Sequence, residues 1–184
     1  MNYDLFYINE KGVLKKSKST EFDYNTYKVE YGLYNVSTDV KKIGDSCFMY
    51  CENLDVCINN NIDSIGLAGL AGCKDIYCST NVFNKLLKNP SVFGSYDIVH
   101  IAKTDYYLYN YPNKSLIFVS KEDLVKEFID EDYDDYSFVE LINYAKRAGG
   151  HFHELFLEDF DNDTVGAILD ELDTSDNGET SLFS

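Results

Sequence analysis

Apolar positions in the middle of the chain repeat at a fixed offset, from i to i + 22, over two consecutive stretches, 40–58 and 62–80. Seven positions keep identity or apolar character at this offset: Val40 with Ile62, Ile43 with Ile65, Gly44 with Gly66, Phe48 with Leu70, Cys51 with Cys73, Leu54 with Ile76 and Val56 with Cys78. Periods of about 20–29 residues are typical of repeat architectures, in which each unit buries its apolar face against the next. The pattern therefore predicts stacked repeats.

Within each repeat, the alternation of residue types predicts a short β-strand. Residues 54–58 (LDVCI) alternate with a period of two, which places one set of side chains inward and the other outward. The same alternation predicts further strands at 76–78 and at 96–102. Residues 45–51 are expected to return as a short helical turn that buries Cys47, Phe48 and Cys51.

The string I-G-x-x-x-F-x-x-C-x-x-L-x-x-x-I at residues 43–58 resembles the BspA-type leucine-rich repeat. The second copy departs from it, with Leu70 in place of the phenylalanine and Thr80 in place of the last isoleucine. The resemblance covers roughly residues 30–100. It implies a solenoid fold and a binding or adhesive role without catalytic residues.

The flanking segments complete the predicted fold. Two β-hairpins, 3–8 with 13–17 and 105–110 with 114–119, are expected to cap the repeats, since an open solenoid end exposes strand edges. From Ser120 onwards the apolar spacing becomes helical. The apolar positions of four predicted helices are Leu124, Val125, Phe128 and Ile129; Phe138, Leu141, Ile142 and Ala145, ending at Gly149-Gly150; Phe152, Leu155, Phe156 and Phe160; and Val165, Ile168, Leu169 and Leu172.

The expected fold class is thus α+β, a short leucine-rich-repeat solenoid with β-hairpin caps followed by an acidic helical region. The expected organisation is a solenoid at 1–119, the acidic helical region at 120–172 and a flexible tail at 173–184.

Charge is distributed unevenly along the chain. Residues 1–120 contain 13 acidic and 12 basic side chains, and residues 121–184 contain 19 acidic and 4 basic ones, which gives −1 and −15 of the total −16. A block of like charge usually serves as a solvated surface that aids solubility. The alternative is a surface that imitates nucleic-acid phosphates and attracts a basic protein. The carboxylates that would form it are Asp130, Glu131, Asp132, Asp134, Asp135, Glu154, Glu158, Asp159, Asp161 and Asp163.

A second candidate surface is the outward side of the repeat strands. The repeat offset predicts one ladder of Leu33, Asp55 and Tyr77, and repeat proteins often bind partners through such a surface. The alternative is that so short a sheet is too narrow and that the caps cover it.

Neither metal binding nor catalysis is expected. His151, His153 and Glu154 lack the spacing of a zinc protease and are expected to be surface residues near a helix start. Asp159, Asp161 and Asp163 share the spacing of a calcium loop, but the turn glycine and the closing glutamate are missing, and helix capping explains the same residues.

The five cysteines, Cys47, Cys51, Cys57, Cys73 and Cys78, match no zinc pattern and are expected to be reduced and mostly buried. Cys57 is expected to point outward, but an outward thiol alone does not make a nucleophile. The first residues lack the basic and apolar segments of a secretory signal, and no apolar run is long enough to span a membrane. We therefore expect a cytoplasmic protein without cofactors.

These features favour a non-catalytic protein-binding module that engages a basic, nucleic-acid-binding partner and does not bind nucleic acid itself. A phage or mobile-element inhibitor, such as an anti-CRISPR protein, fits this description. The alternatives are a structural or adhesive leucine-rich-repeat protein and a toxin-immunity protein. The sequence leaves the oligomeric state open.

Overall fold

A computed structural model describes residues 6–16, 32–110, 117–121, 124–125, 137–161, 163, 166–167 and 170. Two α-helices are defined over their full length, α1 (Thr80–Lys88) and α2 (Phe138–Arg147), and a short 3-10 helix covers Pro90–Val92. The strands are β1 (Phe6–Ile8), β2 (Val13–Lys16), β3 (Gly32–Asn35), β4 (Lys42–Ile43), β5 (Leu54–Cys57), β6 (Ser64–Ile65), β7 (Asp75–Cys78), β8 (Ile98–Ile101), β9 (Tyr106–Tyr109), β10 (Ile117–Ser120) and β11 (Phe152–Leu157).

The strands form two sheets. The larger has the order β10-β9-β8-β11-β7-β5-β3, in which β8, β11, β7, β5 and β3 are parallel and β9 and β10 complete an antiparallel meander at one edge. The smaller has the order β1-β2-β4-β6, with β1 antiparallel to β2 and the other pairs parallel. One apolar core cluster contains residues from both sheets.

The repeat seen in the sequence is also present in the backbone. Gly32 pairs with Leu54, and Lys42 pairs with Ser64, so each residue lies opposite its counterpart one period later. Ser46 and Ala68, again one period apart, both have φ of 51°. The predicted burial of Cys47, Phe48 and Cys51 is confirmed, although residues 45–50 form turns instead of a helix.

The register changes between β5 and β7. Val56 pairs with Ile76, whereas the sequence repeat predicts Val56 opposite Cys78. A shift of one residue would turn every side chain to the other face, but this shift is two residues, so the same side chains stay inward. The apolar faces of both strands therefore remain in the core.

The predicted fold class is wrong. The chain folds into two sheets, and no leucine-rich-repeat solenoid followed by a helical region is formed by the described residues. Residues 152–157, expected in a helix, form strand β11 in the middle of the larger sheet, parallel to both β7 and β8. The predicted helix placed Phe152, Leu155 and Phe156 on one side. In the strand they lie on opposite sides, because His153, Leu155 and Leu157 are buried while Phe152 and the other alternate positions are half-buried. The true period is two residues.

Other predicted elements are confirmed. Both hairpins form, as β1-β2 and β9-β10, and residues 98–101 form β8. Helix α2 begins at a capping box in which Ser137 and Glu140 bond each other's backbone N–H groups. It ends before Gly149, which has φ of 92°, a conformation that favours glycine.

Helix α2 packs its apolar side against one end of the larger sheet. Leu141 and Ala145 belong to a second core cluster with Ile98, Tyr109 and Leu124. The remaining apolar positions predicted for the first helix, all four of the last helix, and the tail at 173–184 lie outside the described residues. No helix in the described part of the chain is both long enough and apolar enough to cross a lipid bilayer.

Candidate functional site

The parallel strands of the larger sheet present one face away from the core. In β5 and β7 the burial alternates strictly, so that Asp55 and Tyr77 point outward while Val56 and Ile76 are buried. We call the outward set on the four strands β3, β5, β7 and β11 the outer face. Its residues are Leu33, Asn35, Asp55, Cys57, Asp75, Tyr77, Glu154 and Phe156.

Three carboxylates lie side by side across this outer face. Glu154 pairs with Asp75 in the β11-β7 register. The pairing of Val56 with Ile76 places Asp55 beside Asp75 on the next strand. Like charges on directly opposed residues of neighbouring strands destabilise a sheet. Repulsion along this row is therefore expected to lower the stability of the sheet.

The compensation of this charge is uneven. Glu154 Oε1 lies 2.6 Å from His100 Nδ1, and Lys74 Nζ lies 3.6 Å from Asp75, with side chains that are 55% and 22% exposed. An ion pair this exposed contributes little stability. Asp55 Oδ1 is buried and has no hydrogen-bond partner among the residues that the structure describes. Asp55 is thus the least compensated member of the row.

An aromatic pair stands next to the carboxylates. The rings of Tyr77 and Phe156 are stacked, with centroids 4.8 Å apart and an interplanar angle of 11°. Burial raises the pKa of Tyr77, and the nearby carboxylates of Asp55 and Asp75 raise it further. The opposite neighbour of Tyr77, across the β5-β7 register, is the small residue Cys57.

Cys57 is the most exposed of the five cysteines, but it is not an activated thiol. Its Sγ donates to Glu158 Oε1 at 3.0 Å. Burial and the Glu158 carboxylate raise its pKa to about 11. Because the thiolate is the reactive form, this environment disfavours nucleophilic chemistry.

His100 orients Glu154 at the border of the outer face. Its Nδ1 bonds the Glu154 carboxylate, and its Nε2 lies 2.8 Å from the backbone oxygen of Thr104. The Tyr107 ring packs against the imidazole at a centroid distance of 4.6 Å. Since both ring nitrogens are engaged, His100 fixes the position of the carboxylate.

The residues predicted for the sheet surface lie on one face, but their ladder differs from the prediction. Leu33, which is 54% exposed, pairs with Asp55, whereas Tyr77 pairs with Cys57 and not with Asp55. The change follows from the two-residue shift of register. Sequence spacing identifies the correct face and the pair of Leu33 with Asp55, but not the neighbour of Tyr77.

The carboxylates predicted to form one acidic surface have separate local contacts. Glu154 lies on the outer face, and Glu158 follows β11 and contacts Cys57. Asp159 accepts hydrogen bonds from the backbone N and the hydroxyl of Thr80 at 2.7 and 3.0 Å, which lower its pKa and stabilise the start of α1. Asp161 accepts from the backbone N of Asp163 at 3.0 Å. Asp130, Glu131, Asp132, Asp134 and Asp135 lie outside the described residues.

A second polar cluster, around Asp97, is buried. Asp97 Oδ2 lies 2.9 Å from His153 Nε2, and both side chains are 0% exposed. Burial opposes ionisation of Asp97, but hydrogen bonds from His151 and His153 outweigh it and lower the pKa to about 2. The backbone N–H groups of Gly94 and His151 also donate to this carboxylate, each at 2.8 Å.

The expectation that both histidines lie on the surface is therefore wrong for His153. It belongs to the buried set of β11, because inward and outward positions alternate along a strand. His151, at 30% exposure, lies 3.6 Å from Asp97 and 3.5 Å from Glu52. These two carboxylates raise its pKa above the usual value, against the effect of burial, with the hydrogen bond to Asp97 as the largest cause.

The contacts of Cys73, His153 and Asp97 resemble a nucleophile-base-acid series, but the geometry does not support catalysis. Cys73 Sγ is 3.9 Å from His153 Nδ1 and donates to the Leu70 backbone oxygen at 3.1 Å. Burial raises the pKa of this thiol well above its ordinary value. The Asp97 network instead joins the loop before β8 to the start of β11. Sequence reasoning missed it because Asp97 and His153 are 56 positions apart.

Within the described residues, no group of three or more His, Cys, Asp or Glu side chains could hold a metal ion. Comparison of the chain with protein-family models, curated proteins and solved structures finds no match to any of them.

Proposed function

We propose that this protein is a non-catalytic binding module that engages a basic protein partner through the outer face of its larger sheet. The observation that carries the proposal is the row of Asp55, Asp75 and Glu154 on three adjacent strands. Because this row opposes sheet stability, a binding role gives a reason for its presence that packing does not.

The charge of the whole chain supports the same partner class. A formal net charge of −16 attracts a basic surface and accelerates its association, and it repels nucleic acid. The aromatic pair of Tyr77 and Phe156 adds contact area of the kind that is enriched in protein interfaces. The negative charge and the aromatic pair together favour a partner with a basic surface over one with a neutral surface.

A basic nucleic-acid-binding groove is one surface that is complementary to this face. A protein that occupies such a groove prevents the nucleic acid from binding, which is how a phage or mobile-element inhibitor would act. This role is a proposal based on charge and on the outer face. The acidic residues beyond Asp163 would extend the same attraction at long range.

The test is a pull-down with immobilised protein and a matched pair of triple variants. One variant, Asp55→Asn with Asp75→Asn and Glu154→Gln, removes the row. The other, with Glu10→Gln, Asp39→Asn and Asp63→Asn, removes the same charge from exposed positions next to the smaller sheet.

We expect a basic partner to be retained by the wild type and by the second variant, to be lost by the first, and to elute when salt rises from about 50 mM to about 500 mM. Equal retention by both variants would contradict the proposal. A retained partner that salt does not release would also contradict it.

The resemblance of roughly residues 30–100 to BspA-type leucine-rich repeats stays a proposal. The shared φ of Ser46 and Ala68 and the pairing of Lys42 with Ser64, one period apart, support it. An adhesive or structural role attached to that resemblance does not require the carboxylate row. The matched variants therefore also separate that role from the binding of a basic partner.

A further inference from the structure

We infer that the outer face recognises arginine in preference to lysine, through a slot above Cys57 beside the Tyr77 ring. This inference rests on the proposed function and adds the chemistry of the partner's side chain. It begins with a difference in size between neighbours. Tyr77 is opposed by Phe156 on one side and by the much smaller Cys57 on the other.

The size difference decides which side of the Tyr77 ring a partner can reach. The stacked Phe156 ring covers one side, with centroids 4.8 Å apart. A cysteine side chain is too short to cover the other side in the same way. A planar group that replaces the Cys57 thiol as the hydrogen-bond partner of Glu158 can therefore lie above Cys57 and against the Tyr77 ring.

Carboxylates stand at two sides of this slot. Glu158 Oε1 lies 3.0 Å from Cys57 Sγ, and Asp55 is two positions before Cys57 on the same side of β5, where side chains alternate in direction. Asp55 Oδ1 is buried and accepts no hydrogen bond from any described residue. The residue as a whole is half-buried and lies on the same side of the sheet as Cys57.

Guanidinium matches this combination better than ammonium does. It is planar, stacks on aromatic rings and offers five N–H donors in a fixed arrangement. One arginine can lie against Tyr77 and donate to Asp55 and Glu158 at once. A lysine ammonium is a compact, strongly hydrated charge that cannot use the ring and both carboxylates together. The expected partner therefore presents arginine from a basic surface.

The test measures fluorescence anisotropy of labelled nonaarginine and nonalysine peptides with the full chain at one ionic strength. The decisive quantity is the ratio of the two affinities. For the wild type we expect about fivefold tighter binding of the arginine peptide, because guanidinium stacks on the ring and donates to two carboxylates at once, which corresponds to about 1 kcal/mol. Tyr77→Leu should bring the ratio close to one, while Tyr144→Leu on α2, a partly exposed tyrosine outside the outer face, should leave it unchanged.

A second variant fills the slot without removing charge or ring. Cys57→Leu should reduce the arginine preference to the same extent, with nonalysine affinity unchanged, which keeps the test decisive if Tyr77→Leu does not fold. A preference that survives Cys57→Leu would overturn the slot. Equal binding of both peptides to the wild type would overturn the arginine inference and leave the proposed function standing. No binding of either peptide would contradict the proposed function as well.

Discussion

The polar side chains on the two faces of β11 differ in how completely their hydrogen bonds are satisfied. On the inward face, His153 and Asp97 are fully buried, and three hydrogen bonds, from the His153 side chain and from the backbone N–H groups of Gly94 and His151, satisfy the carboxylate. On the outward face, Glu154 continues a row of carboxylates in which Asp55 Oδ1 has no donor within the described part of the chain. A buried group with all its partners present stabilises the fold. A half-exposed group without them leaves interactions available for another molecule.

The largest expected change in stability comes from removing the buried Asp97 carboxylate. Asp97→Asn should destabilise the protein by about 3 kcal/mol, because breaking a buried, hydrogen-bonded pair leaves the remaining partner uncompensated. Urea denaturation monitored by circular dichroism measures this effect. Asp39→Asn, in an exposed turn, is the control and should change the unfolding free energy by less than about 0.5 kcal/mol. Similar values for the two variants would show that the network contributes no stability.

The central position of β11 gives the next prediction. Leu155→Ala should cost about 3 kcal/mol, since Leu155 is 0% exposed in the main core and its truncation leaves a cavity. Val139→Ala on α2 is the control, because Val139 is 65% exposed. Thermal or urea unfolding compares them. A loss below about 1 kcal/mol for Leu155→Ala would contradict the placement of β11 between β7 and β8.

The pH dependence of the inward network follows from the lowered pKa of Asp97. A carboxyl group whose pKa is lower in the folded protein stabilises above its unfolded pKa, near 3.9, and loses that contribution as pH falls through the folded value. The folded value is about 2. The difference in unfolding free energy between wild type and Asp97→Asn should therefore be largest between about pH 5 and pH 6 and shrink by about 2 kcal/mol towards pH 2. It should also decrease above about pH 6.5, because Asp97 raises the pKa of His151 and that contribution is lost when the imidazole loses its proton. A difference independent of pH would show that Asp97 is not held ionised.

His151 contributes with the opposite sign. Its pKa is raised in the folded protein, so its contribution is fully present below about pH 6.5, the usual histidine value, and is lost as pH rises through the folded value. His151→Gln should therefore destabilise the protein more at pH 6 than at pH 9. Unfolding by urea at the two pH values measures the change. An equal effect at both would contradict the ionic contact with Asp97 and Glu52.

The smallest expected change in stability comes from the carboxylate row on the outer face. Asp75→Asn should leave stability unchanged or raise it by up to about 0.5 kcal/mol at low salt, because it removes like-charge repulsion with Glu154 and Asp55. The gain should disappear at high salt. A loss above about 1 kcal/mol would mean that the row supports the fold, which would remove the main reason to assign it to binding.

The sequence predicted local strands and faces well, because alternation and hairpin signals are local. Residues 54–57 and 75–78 are strands with the expected inward side chains. Residues 98–101 also form a strand, but Val99 and Ile101 lie in the main core instead of His100, which the repeat offset places inward. The order of the strands within the larger sheet could not be predicted from local patterns. The insertion of β11 beside β7 depends on contacts between residues far apart in the chain, as in the pair of Leu155 with Ile76. No local pattern encodes such a pairing.

The candidate site was predicted only in part, for two physical reasons. The shift of register places Tyr77 opposite Cys57. The apolar pattern of residues 152–157 was interpreted as helical, so Glu154 was not expected on the sheet. Both errors concern neighbours across strands and not the character of single residues. The face of Leu33 and Asp55 was therefore recognisable, while the row with Asp75 and the aromatic pair with Phe156 were not.

Residue-specific NMR chemical-shift mapping with an arginine-rich peptide tests the central claim most directly. The account predicts that amide shifts concentrate on Asp55–Cys57, Asp75–Tyr77 and Glu154–Glu158, saturate with peptide concentration and disappear at about 500 mM salt. Shifts confined to the smaller sheet, or no saturable shifts at low salt, would contradict the assignment of the outer face as the binding surface.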